Sequence, residues 1–303
     1  MDSWPVVIIY PRENVSRFHW ELFEAQLMEI GSLGVSVEKE RPDGVPVEAK
    51  AWFPKQAEGD MAEFELVKTL TDEYLAGETL LELKWEPDRD WNEKWAAGRS
   101  FVRVSEHCFV GPPDQLSKLD IGNDKAVTVA IEYSGVFGLG DHDTTVLCLL
   151  MLEEEWRDGA GPGLLLDVGT GTGVLAFAAV KQGAEFVLGV DNDPRAVETF
   201  AKNAHHNGAE ESTRFELTET GEEVREAWKK WRKEGPDLVV CNMLMEQFIP
   251  LLGTIRSFDC PVIITGFLDE NRGEMEQISE EHGWRVDRRW ERGVWMGWRL
   301  SPK

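Results

Sequence analysis

The run Asp167-Val168-Gly169-Thr170-Gly171-Thr172-Gly173 carries the clearest chemistry in the chain. An apolar stretch at 164–168 leads into it and a helix-forming stretch follows, an arrangement that lets backbone N–H groups approach a nucleotide. Glycines at 169, 171 and 173 remove the side chains that would block that approach. A dinucleotide fingerprint needs a further glycine where Val174 stands. The tighter spacing behind an acidic residue suits a smaller, cationic ligand without a pyrophosphate. Asp191 follows about 20 residues later, at the end of the next apolar run, where a carboxylate can accept both ribose hydroxyls.

Two further segments belong with this loop. Asn242 ends the apolar run 238–241, so its amide falls at the carboxyl end of a sheet, where open α/β sheets bind ligands. Its side-chain carbonyl can accept a hydrogen bond from an attacking amine without titrating, although an Asn there can equally cap the next helix. Phe137-Gly138-Leu139-Gly140-Asp141-His142-Asp143-Thr144-Thr145 precedes a leucine-rich helix, and its Thr-Thr pair offers backbone and hydroxyl donors at the helix start, although as bare chemistry it equally reads as a capped loop. No metal is expected. His142 lacks a spaced second ligand, and His205 and His206 point in different directions on a helix.

The elements that must hold these residues change character along the chain. Residues 1–86 read as βαββαβ: strands at 4–10, 33–38, 47–53 and 79–85, helices at 15–30 and 60–75, with a turn at Pro42-Asp43-Gly44. That order is the ferredoxin-like arrangement, an antiparallel sheet with two helices on one face. Residues 87–133 read as a connecting segment with a short helix carrying Trp91 and Trp95, then one or two strands in FVRVSEHCFVGPP. From 134 to 303 apolar strands at 164–168, 186–190, 238–241 and 262–265 alternate with helices at 174–182, 194–207, 246–255 and 269–282. Such alternation implies a buried, mostly parallel sheet covered on both faces. The end differs: strand-like segments joined at Arg292-Gly293 predict a C-terminal antiparallel hairpin.

Composition narrows the partners. With 32 Lys and Arg against 56 Asp and Glu, the formal net charge is −24, which excludes a generic nucleic-acid groove. The charge is open to three readings: a solubilising surface, an adaptation to high salt, or a field that attracts a basic partner. No apolar run approaches the roughly 18 residues of a membrane span, and the first residues carry no secretory pattern. Cys108, Cys148, Cys241 and Cys260 lack metal-ligand spacing and read as reduced, mostly buried thiols, so a cytoplasmic location is expected.

Taken in order, FGLGDHDTT, DRDWNEKW, LLLDVGTGTG, LGVDNDPRAVETFAKNAHHNG and DLVVCNML resemble the ribosomal protein L-eleven methyltransferases of the PrmA type, over nearly the whole chain. The resemblance implies a ferredoxin-like substrate-recognition domain followed by a Rossmann-like, seven-stranded methyltransferase domain with S-adenosyl-L-methionine as cofactor. It further implies that Thr145, Gly169, Gly171, Gly173, Asp191 and Asn242 contact that cofactor. Asn242 is also the catalytic candidate, with Met243 where the family has Ile. The implied partner is a basic, large-subunit ribosomal protein methylated on lysine or N-terminal amines. The Thr-Thr loop departs from the family pattern F-G-T-G-T-H-P-T-T, since Leu139 and Asp141 each replace a Thr and Asp143 replaces Pro. Three other readings stay open: the same fold acting on another protein lysine or a small amine, a non-catalytic nucleotide-binding module, and a nicotinamide dehydrogenase, which Val174 disfavours.

Overall fold

The structure is a computed structural model. It describes residues 2–303 except 31, 33, 54, 55, 58–60, 76–78, 87–100, 120–125, 133–135, 158 and 160. The expected helix with Trp91 and Trp95 lies outside the described residues. Two compact units are present: Met1–Gly98 with Ser134–Phe137, and Arg99–Tyr133 with Gly138–Lys303.

In the first unit the elements are β1 (Asp2–Tyr10), α1 (Arg17–Glu29), β2 (Gly34–Glu40), β3 (Pro46–Trp52), β4 (Gln56–Ala57), α2 (Ala62–Tyr74) and β5 (Leu80–Glu86). Strand β1 is central and pairs antiparallel with β3 and β5, and β2 pairs antiparallel with β3. The two-residue β4, which no sequence signal announces, adds to the start of β1. Between β2 and β3 the expected turn forms, with Gly44 at φ +80° and its N–H donating to Arg41 O. Alternation along β1 and β3 sends Val7, Ile9, Ala49 and Ala51 to one face, where they pack with Phe23 and Leu27 of α1 and Val67 of α2.

The second unit begins with β6 (Val102–Arg103) and β7 (Cys108–Gly111), which pair antiparallel, then α3 (Pro113–Leu116) and β8 (Val127–Ala130), parallel to β7. The residues expected as a connecting segment therefore supply a small sheet of their own. Next come α4 (Asp143–Glu155), β9 (Leu164–Val168), α5 (Val174–Gln182), β10 (Phe186–Asp191), α6 (Pro194–Asn207), β11 (Thr213–Leu217) and α7 (Gly221–Trp231). The chain continues through β12 (Leu238–Asn242), α8 (Met245–Phe248), a 3-10 turn (Ile249–Leu251), α9 (Leu252–Arg256) and β13 (Val262–Leu268). It closes with a second 3-10 turn (Asp269–Asn271), α10 (Arg272–Glu281), β14 (Trp284–Arg292) and β15 (Trp295–Pro302). The single helix expected at 246–255 is broken in two because Pro250 lacks the N–H that would continue it.

The large sheet has seven strands in the order β11-β10-β9-β12-β13-β15-β14. The first five are parallel, and β15 runs antiparallel between β13 and β14. Leu165, Val187, Val240 and Ile263 pack into a core with Leu147 of α4 and Phe177 of α5. The alternate positions Leu166, Leu188, Val239 and Ile264 pack into a second core with Trp228 of α7, Phe248 of α8 and Met275 of α10. With both faces buried the strands need no polar alternation, which is why they appear in the sequence as continuous apolar runs.

Candidate functional site

The direction of winding reverses at β9, with β10 on one side and β12 on the other. Open α/β sheets bind ligands outside the carboxyl ends of the strands at such a point. The loop after β9 occupies it. Gly169, Gly171 and Gly173 all have positive φ, at +72°, +52° and +84°. Any other residue would be strained there. Space is equally restrictive: a Cβ on Gly169 would meet Met243 Cε at 2.5 Å, and one on Gly173 would meet Phe177 Cε2 at 2.4 Å.

The loop is fastened on every side. Gly169 and Thr170 donate their N–H groups to Val190 O. Gly171 N donates to Asp191 Oδ2 over 2.7 Å, and Asp193 N to Asp191 Oδ1 over 2.9 Å. Asp191 thus braces the loop while each oxygen keeps a lone pair for a further donor. Burial, opposed by these backbone donors, raises its carboxyl pKa. Thr172 Oγ1 donates to Gly138 O at 2.6 Å, and Asn203 Nδ2 donates to Thr172 O at 2.9 Å. Gly138, at φ +108°, lies so close that a Cβ would approach Thr172 Oγ1 to 2.7 Å. The Gly-Leu-Gly stretch before α4 is therefore stitched to the loop after β9.

Thr145 and Asn242, 97 residues apart, meet directly: Asn242 Nδ2 donates to Thr145 Oγ1 over 3.2 Å. Thr265 Oγ1 donates to Asn242 Oδ1 over 2.8 Å, and all three residues are buried. The amide is held from both sides, and its carbonyl oxygen retains a second lone pair. Nothing in the sequence marked Thr265. It reaches Asn242 because β12 and β13 pair in register, Asn242 opposite Thr265. The register of β13 against β15 then shifts between Thr265 and Phe267. Gly266 at that irregularity has φ +97°, and a Cβ on it would lie 2.1 Å from Met243 O. Bulges near sites commonly re-aim the chain in this way.

Asp167 is the group that the sequence placed before the loop without a role. It is fully buried, and Thr170 Oγ1 donates to its Oδ2 at 2.7 Å, while Oδ1 has no partner among the described residues. Burial pushes its carboxyl up to about 7. A buried carboxyl with so raised a pKa marks a perturbed group beside the ligand loop. The neighbouring Cys148 and Cys241 thiols are raised by burial, which removes thiolate chemistry near neutral pH. All four cysteines are unpaired and buried.

His142 caps α4, its ring accepting from Thr144 N, and burial lowers its pKa. His205 and His206 are exposed and face Glu210 and Glu132. No group of three or more potential metal ligands occurs among the described residues, and none of their helices is long and apolar enough to cross a membrane.

The family model described as ribosomal protein L11 methyltransferase (PrmA) matches residues 12–301. The chain belongs to that family. A relative of that name from Myxococcus xanthus is 31% identical over 285 residues, 91% of this chain and 92% of the relative. One from Haemophilus influenzae is 28% identical over 259 residues, 80% of this chain and 81% of the relative. Among solved structures, a ribosomal protein L11 methylase from Lactobacillus delbrueckii subsp. bulgaricus is similar with a TM-score of 0.56 and 27% identity, covering 68% of this chain and 100% of that one. As a member of this family the chain is an S-adenosylmethionine-dependent methyltransferase with a methyltransferase-like α/β fold.

Proposed function

We propose that the chain transfers methyl groups from S-adenosylmethionine to lysine or N-terminal amines of a basic large-subunit ribosomal protein, the counterpart of the protein L11 that names its relatives. One observation carries the reading. The Thr145–Asn242–Thr265 chain of hydrogen bonds stands at the carboxyl end of β12, with Thr265 beside it on β13, and Met243, next to Asn242, lies over Gly169 of the glycine loop. An amine-handling amide and a nucleotide-type loop thus share one end of the sheet.

The residues fit the cofactor. S-adenosylmethionine is compact and cationic and, when bound, supplies a methyl group already activated for displacement. Bare backbone at Gly169, Gly171 and Gly173 admits close approach, and Asp191 is available to ribose hydroxyls. Thr145 would frame the pocket from the start of α4. With the donor activated, the chain's own work is alignment and exclusion of water. An attacking amine must be neutral, and a lysine starts near pKa ~10.4 and an α-amino group near ~8. Desolvation at the buried strand ends lowers such values. The free lone pair of Asn242 Oδ1 would then accept one amine N–H and orient the nitrogen. No strong general base is needed, and His142 is engaged in capping.

Within the first unit, residues 1–86 suit substrate recognition because they carry none of the cofactor motifs. The strand order there, β5-β1-β3-β2 with antiparallel neighbours, supports reading residues 1–86 as a ferredoxin-like domain. In the domain division proposed, residues 87–133 connect it to a methyltransferase domain spanning 134–303. Such a role belongs in the cytoplasm, where ribosomes are made and thiols stay reduced. The test supplies labelled S-adenosylmethionine to the full chain with separated ribosomal proteins in one reaction and whole lysate in another. Label in a single large-subunit protein is expected. Label confined to another lysate protein would instead favour the same chemistry on a different amine, and cofactor binding without any transfer would favour a non-catalytic module.

A further inference from the structure

Helix α4, which presents Thr145, is gripped at both ends by the C-terminal hairpin β14–β15. At its start Arg292 Nε donates to Asp143 Oδ1 over 2.6 Å. The hairpin turn comes so close that a Cβ on Gly293, already at φ +58°, would lie 3.0 Å from Asp143 Oδ2. The ring of His142 packs edge-on against Trp295, centroids 5.4 Å apart. In the middle of the helix, a Cβ on Gly297 would fall 2.6 Å from Met151 Sδ, 3.1 Å from Leu147 Cδ2 and 3.0 Å from Thr265 Cγ2. Strand β15 therefore touches both α4 and the threonine that holds Asn242.

The far end of α4 has the wrong charge for a free helix. Glu153, Glu154 and Glu155 close it and its last turn holds no basic residue, whereas a helix C-terminus favours cations. The hairpin supplies them. Arg299 Nε donates to Glu155 Oε1 over 2.7 Å, and Arg288 pairs with Glu154. These arginines face carboxylates of their own unit and do not form a free basic patch.

We propose that Asp143 and Arg292 are positioning residues for methyl transfer, a latch through which the hairpin turn sets the first turn of α4 and so the Thr145 hydroxyl against Asn242. The inference rests on the reading above that Thr145 and Asn242 frame the cofactor and the amine. Asp143 is the first helical residue, immediately after the cap. A carboxylate there is favoured by the helix dipole; the His142 cap satisfies the Thr144 N–H, but it does not fix the first turn against the hairpin. Arg292 does so. The pair is partly exposed, with side chains 46% and 23% accessible, so salt weakens it.

The latch is tested in the full-length chain with Asp143→Asn, Arg292→Ala, their combination, and Asp143→Pro in the Arg292→Ala background. Proline at the first helical position fixes φ locally, and the residue before it must be extended. His142 already is, at φ −69° and ψ 139°. Cofactor Kd, kcat and urea stability are measured at low and at ~1 M salt, where the screening length is only ~3 Å. Each single variant is expected to weaken cofactor binding about two- to fivefold, as for a partly exposed ion pair, with a comparable loss in kcat. The double variant should be no worse than either single one, the gap from wild type should narrow in high salt, and the proline variant should recover most of the loss. Variants that lose stability but keep wild-type Kd and kcat, or whose effects add, would overturn the latch while leaving the site reading intact. A wild-type chain that neither binds nor uses S-adenosylmethionine would overturn both.

Discussion

Asp167→Asn isolates what a buried, half-satisfied carboxyl costs this fold. Burial raises the Asp167 pKa from 3.8 to about 7. An unfolded chain would release that proton near its ordinary value, whereas the folded protein keeps it until pH nears 7. The folded state therefore binds more protons across this window, and stability falls as pH rises from 3.8 to about 7. The full shift corresponds to a loss on the order of 4 kcal/mol, and the part between about pH 5.5 and 7 to roughly 2 kcal/mol. Asparagine cannot ionise, so it lacks this slope. It can still accept from Thr170 Oγ1, but its amide N–H groups would occupy the place of Oδ1, which has no partner among the described residues. That adds a cost of about 1–3 kcal/mol, equal at every pH. Urea unfolding of both proteins, followed by tryptophan fluorescence from about pH 5.5 to 8, should show the variant gaining on wild type by roughly 2 kcal/mol as pH rises, then levelling off above 7. Parallel curves across that range would refute the assignment of a raised pKa to Asp167.

Two further outcomes follow from the site. Asn242→Ala removes the acceptor of Thr265 and the donor to Thr145; turnover should fall on the order of 100-fold, as for a misplaced reactant, while cofactor Kd, measured by titration, changes less than about tenfold, and equal turnover in the two proteins would remove Asn242 from the mechanism. Deleting residues 1–86 should abolish methylation of the ribosomal protein and leave cofactor binding intact, and loss of both would give the first unit a structural role.

The strands and helices around the glycine loop were readable because local signals agree there. Residues 164–168 form a run apolar but for Asp167, Asp193 caps α6 before Pro194, and Gly208 ends it in the left-handed conformation. Strand β11 and helix α7 have no counterpart among the expected elements. In β11 the sequence TRFEL is short and charged, as suits an edge strand, yet α7 carries a recognisable signature in the Thr220–Glu223 capping box. Strand β8 was missed because its four residues depend on pairing with β7, and such short runs take their identity from tertiary context.

Within the site, the glycines, Asp191 and Asn242 stand out by type and spacing and Thr145 only through the family resemblance, whereas Thr265 does not stand out, since only the register of β13 brings it to Asn242. Asp143, where the family pattern has Pro, brings a charge to the start of α4. The structure pairs that charge with Arg292, a residue 149 positions away that no local pattern connects to it.

Methylation of ribosomal-protein amines by this chain is tested most directly by incubating the full-length protein with labelled S-adenosylmethionine and undermethylated ribosomes, then identifying the labelled protein and residue by mass spectrometry. Label is expected on lysine or N-terminal amines of the L11 counterpart and is lost in Asn242→Ala. Label on another ribosomal component, or no transfer by a chain that binds the cofactor, would contradict that activity.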